Sequence, residues 1–221
     1  MDEVTRRPDG QLERVERGRS ISASGLAAAF TNLCVALLYL LFAYAHLAEF
    51  QRHRRPSLVL VVVLEALFAL FFLLRRPAER TSFSPWDVLT TLGGTFAPLL
   101  LRPTGVAHDV VIGQMVQSLG AALAIGGILS LNRSIGLLPA HRAIKSAGLY
   151  RWVRHPLYSA YTVANVGYLA SNASLHNAAL VVAALGFQLL RIRSEERFLS
   201  RYAAYGEYRA RTRWRLIPFV Y

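Results

Sequence analysis

The chain has 221 residues, 54% of them hydrophobic, with 25 Lys and Arg against 13 Asp and Glu for a net charge of +12. A mean hydropathy of +0.33, with the apolar residues gathered in blocks, excludes an ordinary soluble core. If six segments span with the N-terminus inside, 21 of the 25 basic residues fall on the cytoplasmic side and 4 opposite. The basicity then sets topology and attracts anionic lipid headgroups, and nucleic acid is not an expected partner.

Residues 1–20 carry both signs of charge and lack the basic start and cleavage site of a signal peptide, so they read as a cytoplasmic arm, disordered or lying on the surface. Six apolar blocks follow: Gly25–Leu47, Leu58–Leu74, Trp86–Leu101, Val106–Leu131, Leu157–Ala170 and Ala178–Leu190. A hydrocarbon core about 30 Å thick needs about 20 helical residues, which the first, second and fourth blocks approach or exceed. Gly93, Gly94 and Pro98 weaken the third as a helix. The fold expected is an all-α polytopic membrane bundle of about five to six transmembrane segments, in the cell membrane with both termini cytoplasmic.

Residues 21–131 read as scaffold, whose Gly113, Gly120, Ala124, Gly126 and Gly127 allow close helix approach. Cys34, the single cysteine, reads as inert packing, and no spacing of His, Cys, Asp and Glu suggests a metal site. His46 and Glu49 read as interfacial anchors. Glu65, mid-way along the second block, is costly as an ion and therefore a functional candidate, here for substrate binding. Gln114, Gln117 and Ser118 share a face as interhelical hydrogen-bonders or cavity-lining groups.

Residues 132–221 differ in character. A basic loop of about 25 residues leads into the apolar arms "LYSAYTVANVGYLA" and "AALVVAALGFQLL", joined by "SNASLHN". Each arm spans only about 20 Å, so a helical hairpin entering from the cytoplasm is expected, with a polar cavity at its mouth. Pro156 suits a first helical position, which places His155 at a helix N-terminus with Arg151 and Arg154 beside it. Such an end favours a carboxylate or phosphate. Tyr158, Tyr161 and Asn165 follow on one face, while Glu195 and Glu196 return to the same level on the other arm. A zwitterionic or cationic cofactor fits such a dipolar cavity.

The stretch "GLYRWVRHPLY" (Gly148–Tyr158), the later Glu195-Glu196, "YGEYRAR" (Tyr205–Arg211) and the final "RLIPFVY" resemble the integral-membrane methyltransferases typified by isoprenylcysteine carboxyl methyltransferase and the phospholipid N-methyltransferases. The likeness covers about 90 residues from Asn132. It implies S-adenosyl-L-methionine at the cytoplasmic mouth and a lipophilic acceptor from the bilayer. Carried over, the cofactor contacts are Tyr150, Arg154, His155, Pro156, Tyr158, Glu195 and Glu196, with Arg154 and Tyr158 the candidate catalytic residues. Arg154 and His155 would hold the methionyl carboxylate, Glu195 or Glu196 the ribose hydroxyls or amino group, and the tyrosines the sulfonium. Many relatives carry Gly where this chain has Ala160. Arg142 and Arg151 are candidate substrate-binding residues and favour a carboxylate acceptor.

Two other classes remain in view. Membrane sterol reductases have a similar C-terminal arrangement but bind NADPH, which needs more basic donors than Arg142 and Lys145 add. A non-catalytic accessory membrane protein is the other alternative, against which the intact Arg154, His155, Tyr158 and Glu196 argue. No inverted repeat suggests a transporter.

Overall fold

The structure is a computed structural model that describes residues 4–6, 12–14, 23–54, 56–75, 78, 80–102, 104, 110–142 and 144–221. In the N-terminal arm, β1 (Val4–Arg6) pairs antiparallel with β2 (Leu12–Arg14); the rest of the arm lies outside the described residues. The remaining architecture is helical apart from one ribbon, so the expected all-α class holds with two small exceptions.

Helix α1 (Ala23–His53) turns at Arg54 into α2 (Pro56–Leu74), and the two pack as an antiparallel pair. Their apolar residues are spread around the helix, as suits a lipid surround. Leu37, Leu41 and Leu70 face outward, while Ala36, Phe68, Ala69 and Phe72 join Ile128 and Ile135 in the main buried cluster. Helix α3 (Pro85–Phe96) runs straight through Gly93 and Gly94 and then tightens into a 3-10 turn, Ala97–Leu100, around Pro98. Gly93 is occupied by its neighbour, since a Cβ there would lie 2.7 Å from the Phe187 ring.

The long helices α4 (Val111–Leu131), α5 (Pro156–Ser171) and α6 (Leu175–Leu199) complete the bundle, with α7 (Ala203–Arg211) after them. Among the described residues, Gly25–Arg52, Val111–Ser134 and Leu175–Leu199 are long and apolar enough to cross a bilayer; Leu58–Leu74 is a shorter apolar helix. The hairpin of α5 and α6 forms as expected, but its arms splay. Helix α5 packs chiefly on α4, and α6 on α3. The hairpin turn is pinned by Asn177, whose amide donates to the carbonyls of Arg102 (2.8 Å) and Asn172 (2.7 Å) and accepts from the Arg102 N–H at 3.0 Å.

The α4–α5 contact explains the small residues of the sequence. At Gly167 of α5 a Cβ would lie 2.7 Å from Gln117 Cα, and at Gly120 of α4 equally close to Ala164 Cα. Backbones approach this closely only without side chains between them. Gly167→Ala is therefore expected to cost about 1–3 kcal/mol by overpacking. Its thermal unfolding midpoint in detergent checks this, and a midpoint equal to wild type would show that the helices separate freely.

The basic loop between α4 and α5 is ordered against the rest. Its strand β4 (Ala140–His141) pairs with β3 (Arg80–Thr81), and Ser82 N–H donates to the Pro139 carbonyl at 2.9 Å. At α3, Asp87 accepts from Ser82 and from Ser194 of α6, fastening both helices to this connection. Gly148 enters the next 3-10 turn, Gly148–Arg151, at φ +61°, a left-handed conformation that favours glycine.

Candidate active site

The splay of α5 from α6 opens a cavity of about 400 Å³, within the range of small-molecule sites. Its walls come from α1, α2, α3, α5, α6, α7 and the ordered loop Ser134–Lys145.

His155 is the N-cap of α5 and Pro156 its first helical residue, as the sequence predicts. What holds them is the chain's C-terminal segment. Arg154 N–H donates to the Trp214 carbonyl at 2.8 Å, and His155 N–H to the Arg215 carbonyl at 2.9 Å. Ser159 fastens the same segment by donating to the Leu216 carbonyl at 2.7 Å. The backbone donors of Arg154 and His155 are thus spent on protein rather than left for an anion.

Glu196 is the centre of a buried charge cluster. It accepts from Arg154 Nε at 2.8 Å and Arg215 Nε at 2.9 Å, and lies 3.3 Å from His155 Nε2. Arg154 also donates to the Thr212 carbonyl at 3.3 Å. This arrangement ties α5, α6 and the C-terminal segment into one unit. Glu196 and Pro156 do not line the cavity, whereas Arg154 and His155 do.

Glu195 faces the cavity from α6. It accepts from the Tyr158 hydroxyl at 2.5 Å, lies 3.8 Å from His155 Nδ1, and forms an ion pair with Arg191 Nε at 3.3 Å. Arg191 is buried, with its guanidinium 5.2 Å from the centre of the Tyr158 ring, a cation–π distance. Its Nη atoms donate to Thr95 Oγ1 at 3.4 Å and to the Leu137 carbonyl. Arg191 is not among the site residues the sequence singles out. Its spacing of four from Glu195 carried part of the signal, but Thr95 and Leu137 are distant in sequence.

Three tyrosines close the end of the cavity near α7. Tyr150 is buried, and its carbonyl accepts from the Tyr208 hydroxyl at 2.8 Å. Burial pushes the Tyr150, Tyr205 and Tyr208 hydroxyls above their ordinary range, so all stay protonated donors. Tyr205 is 3% exposed, and among the described residues its hydroxyl has no hydrogen-bond partner. A buried hydroxyl without a partner is costly unless a ligand supplies one. Both α7 tyrosines belong to the "YGEYRAR" stretch, which the sequence marked without giving either a role.

The remaining candidates divide. Arg142 lines the cavity, and burial beside Arg75 pulls its guanidinium down to about 10. Arg151 does not line it; its exposed side chain lies over the Trp152 ring at 5.1 Å. Glu65 lines the inner end and accepts from or donates to His46 Nδ1 at 2.9 Å. His46, expected as an interfacial anchor, is therefore a helix partner of Glu65, because the antiparallel packing of α1 on α2 brings them level. Ala160 is fully buried and does not line the cavity, so its methyl leaves the pocket unaltered.

A search among individually curated proteins finds no match to the chain. Residues 106–201, which take in α4, the loop after it, α5 and α6, match the model of the Isoprenylcysteine carboxyl methyltransferase (ICMT) family.

Proposed function

We propose that the chain is an S-adenosyl-L-methionine-dependent membrane methyltransferase acting on a lipophilic acceptor. The observation that carries this is the cavity between α5 and α6, lined by Arg154, His155 and Glu195 together with Tyr150, Tyr158, Tyr161, Tyr205 and Tyr208. Its donor set suits the cofactor. Cations and a carboxylate side by side on the cavity wall, with His155 Nδ1 3.8 Å from Glu195, match a zwitterionic methionyl group, and the tyrosine rings match a sulfonium. The unpartnered Tyr205 hydroxyl supplies a donor for the polar edge of a nucleoside.

When bound, the cofactor supplies an electrophilic methyl group on a positively charged sulfur. The protein's part is positioning. Tyr158 is held by Glu195 and stacked under Arg191, so its ring has little freedom. His155 is fixed by Glu196, its own backbone bond and a tilted contact with Tyr158 at 5.7 Å between ring centres. Fixed groups in a site shielded from water lower the entropic cost of bringing donor and acceptor together. The positive-inside bias of the charges supports an orientation with both termini and the mouth of the cavity on the cytoplasmic side.

For the acceptor, the argument for a carboxylate keeps Arg142 but loses Arg151, which stands outside the cavity. Titration of detergent-purified protein with S-adenosylhomocysteine and, separately, NADPH tests the cofactor. Binding of S-adenosylhomocysteine alone is expected, weakened about tenfold or more in Tyr205→Phe through loss of one buried hydrogen bond. Binding of NADPH alone would move the protein to the reductases, and binding of neither would favour an accessory role.

A further inference from the structure

The segment after Trp214 closes on itself as a hook. The N–H groups of Arg215, Leu216 and Ile217 all donate to the Tyr221 main-chain oxygen, at 2.8, 2.7 and 3.1 Å, and those of Val220 and Tyr221 donate to the Ile217 carbonyl at 3.1 Å. Pro218 has no N–H, so five of the six such groups from Arg215 to Tyr221 are spent within the hook. The side chains it presents are ones that water disfavours: Ile217 is 54% exposed, Phe219 85% and Val220 72%. Phe219 sits at φ +66°, a left-handed conformation costly for a bulky residue, and leans on Trp214 with 5.6 Å between ring centres.

The depth of the hook follows from α4 and α5. A Cβ at Gly127 of α4 would lie 2.8 Å from Leu157 Cδ2 and 3.7 Å from Leu157 N, so the start of α5 is level with Gly127. Gly127 stands seven residues before Ser134, where the apolar span of α4 ends, roughly 10 Å along the helix. Ser159, in the first turn of α5, donates to the Leu216 carbonyl at 2.7 Å. The root of the hook therefore lies beside a helix long enough to span, inside the end of its apolar length. Interfacial apolar groups reach that depth, and irregular backbone is tolerated there when protein satisfies it. Just before the hook, Arg201, Arg209, Arg211 and Arg213 are exposed, with Glu207 the exposed acid among them. Trp152 is 58% exposed near the same helix start, under the Arg151 guanidinium at 5.1 Å. An apolar tip beside a basic collar complements a layer of anionic lipid.

We propose that the hook is a lipid anchor of the site. Ile217, Phe219 and Val220 enter the boundary between headgroups and acyl chains in the leaflet around the C-terminal end of α4, and Arg209, Arg211 and Arg213 meet anionic headgroups. The anchor is coupled to the cavity because the same segment holds the cavity wall. The Trp214 and Arg215 carbonyls accept from the N–H groups of Arg154 and His155, and Arg215 Nε donates to Glu196. A docked hook keeps Arg154 and His155 in place, and a released one frees them. Lipid shifts the balance because it contacts only the docked hook. Cofactor affinity therefore rises with the anionic lipid content of that leaflet. This last step rests on the methyltransferase reading above, whereas insertion of the hook does not.

Two measurements on the full chain test this, in nanodiscs of phosphatidylcholine alone or with roughly a third phosphatidylglycerol. Cys34 is the single cysteine, so Val220→Cys in a Cys34→Ala background carries one fluorescent label. Quenching by lipid spin-labelled at headgroup level, with protection from iodide in the water, is expected. Quenching by iodide and not by lipid overturns the anchor. The second measurement is S-adenosylhomocysteine titration. Wild type is expected to bind about fivefold or more tightly in the anionic discs, the worth of one arginine at such a surface. Changing Arg209→Gln, Arg211→Gln and Arg213→Gln together should abolish that difference and leave affinity in the neutral discs unaltered, which a folding defect would not do. Equal wild-type affinity in both lipids overturns the coupling, as does a triple variant that keeps the lipid dependence. Binding in neither lipid would remove the methyltransferase reading and the coupling with it, while the label still decides the anchor.

Discussion

Glu196→Ala is expected to be the most damaging single substitution in the C-terminal half of the protein. The carboxylate holds Arg154 and Arg215 and approaches His155, with side chains 7% exposed for Glu196 and 5% for Arg154. Removing it leaves a buried guanidinium without its counter-charge, a change that costs about 3–5 kcal/mol when one partner of a buried pair is deleted. The loss is also positional. Arg154 and Arg215 lie on either side of the backbone pairing between residues 154–155 and 214–215, so loosening both releases the C-terminal segment from the N-terminus of α5. The measurement is thermal unfolding in detergent together with S-adenosylhomocysteine titration. A large drop in midpoint and loss of binding are expected. Glu196→Gln, which keeps an acceptor oxygen of the same shape, should fall between the two. An alanine variant with wild-type midpoint and affinity would show that the cluster is dispensable.

Arg191→Met is expected to follow closely. This guanidinium bridges α6 to α3 through Thr95, to the ordered loop through the Leu137 carbonyl, and to Glu195 on its own helix. Methionine fills similar volume but leaves Glu195 partly buried with its cation gone, again about 3–5 kcal/mol. Arg191→Lys separates charge from shape. A single ammonium can pair with Glu195 but cannot reach the carbonyl and the hydroxyl together as a fork does. About 1.5–3 kcal/mol should remain missing, the worth of a lost charge-assisted hydrogen bond. Midpoints that rank wild type, Lys, then Met check both parts. Equal midpoints for all three would mean that Arg191 carries no structural weight.

The two experiments bear on different joints. Glu196 joins the hairpin to the C-terminal segment, and Arg191 joins it to α3 and the loop. Because the arms of the hairpin are splayed, each needs its own fastening. The Tyr158–Glu195 bond and the Thr162–Gln188 bond at 3.1 Å are side-chain links between α5 and α6 near the cavity.

Much of this was legible in residue order. Block length and hydropathy gave the membrane helices, since spanning length and apolar content are local properties. Pro156 gave the start of α5 and the position of His155, because a missing N–H suits a helix start wherever it occurs. The motif Gly148–Tyr158 with Glu195-Glu196 pointed to the family whose model residues 106–201 match. The small residues of α4 announced a close contact, though not that Gly113 and Gly120 would meet α5, and Gly167 of α5 meet α4, backbone to backbone. Gly93, Gly94 and Pro98 suggested a weak third helix. The two glycines stay helical, with Phe187 packed against Gly93, and the helix tightens only around Pro98.

Pairing across distance was another matter. That Glu196 spends itself on Arg154 and Arg215 rather than facing the cavity depends on the C-terminal segment folding back over α5. That Arg151 points away while Arg191 points in depends on the rotation of each helix about its axis. The His46–Glu65 pair depends on α1 and α2 being antiparallel and in one register. Charge, apolar length and proline are written residue by residue and act within a turn or two, so the order of residues was enough for the apolar helices, the start of α5 and the family resemblance. Which of two neighbouring acids lines a cavity is fixed by packing between helices far apart in the chain, and that information exists only once the bundle has closed.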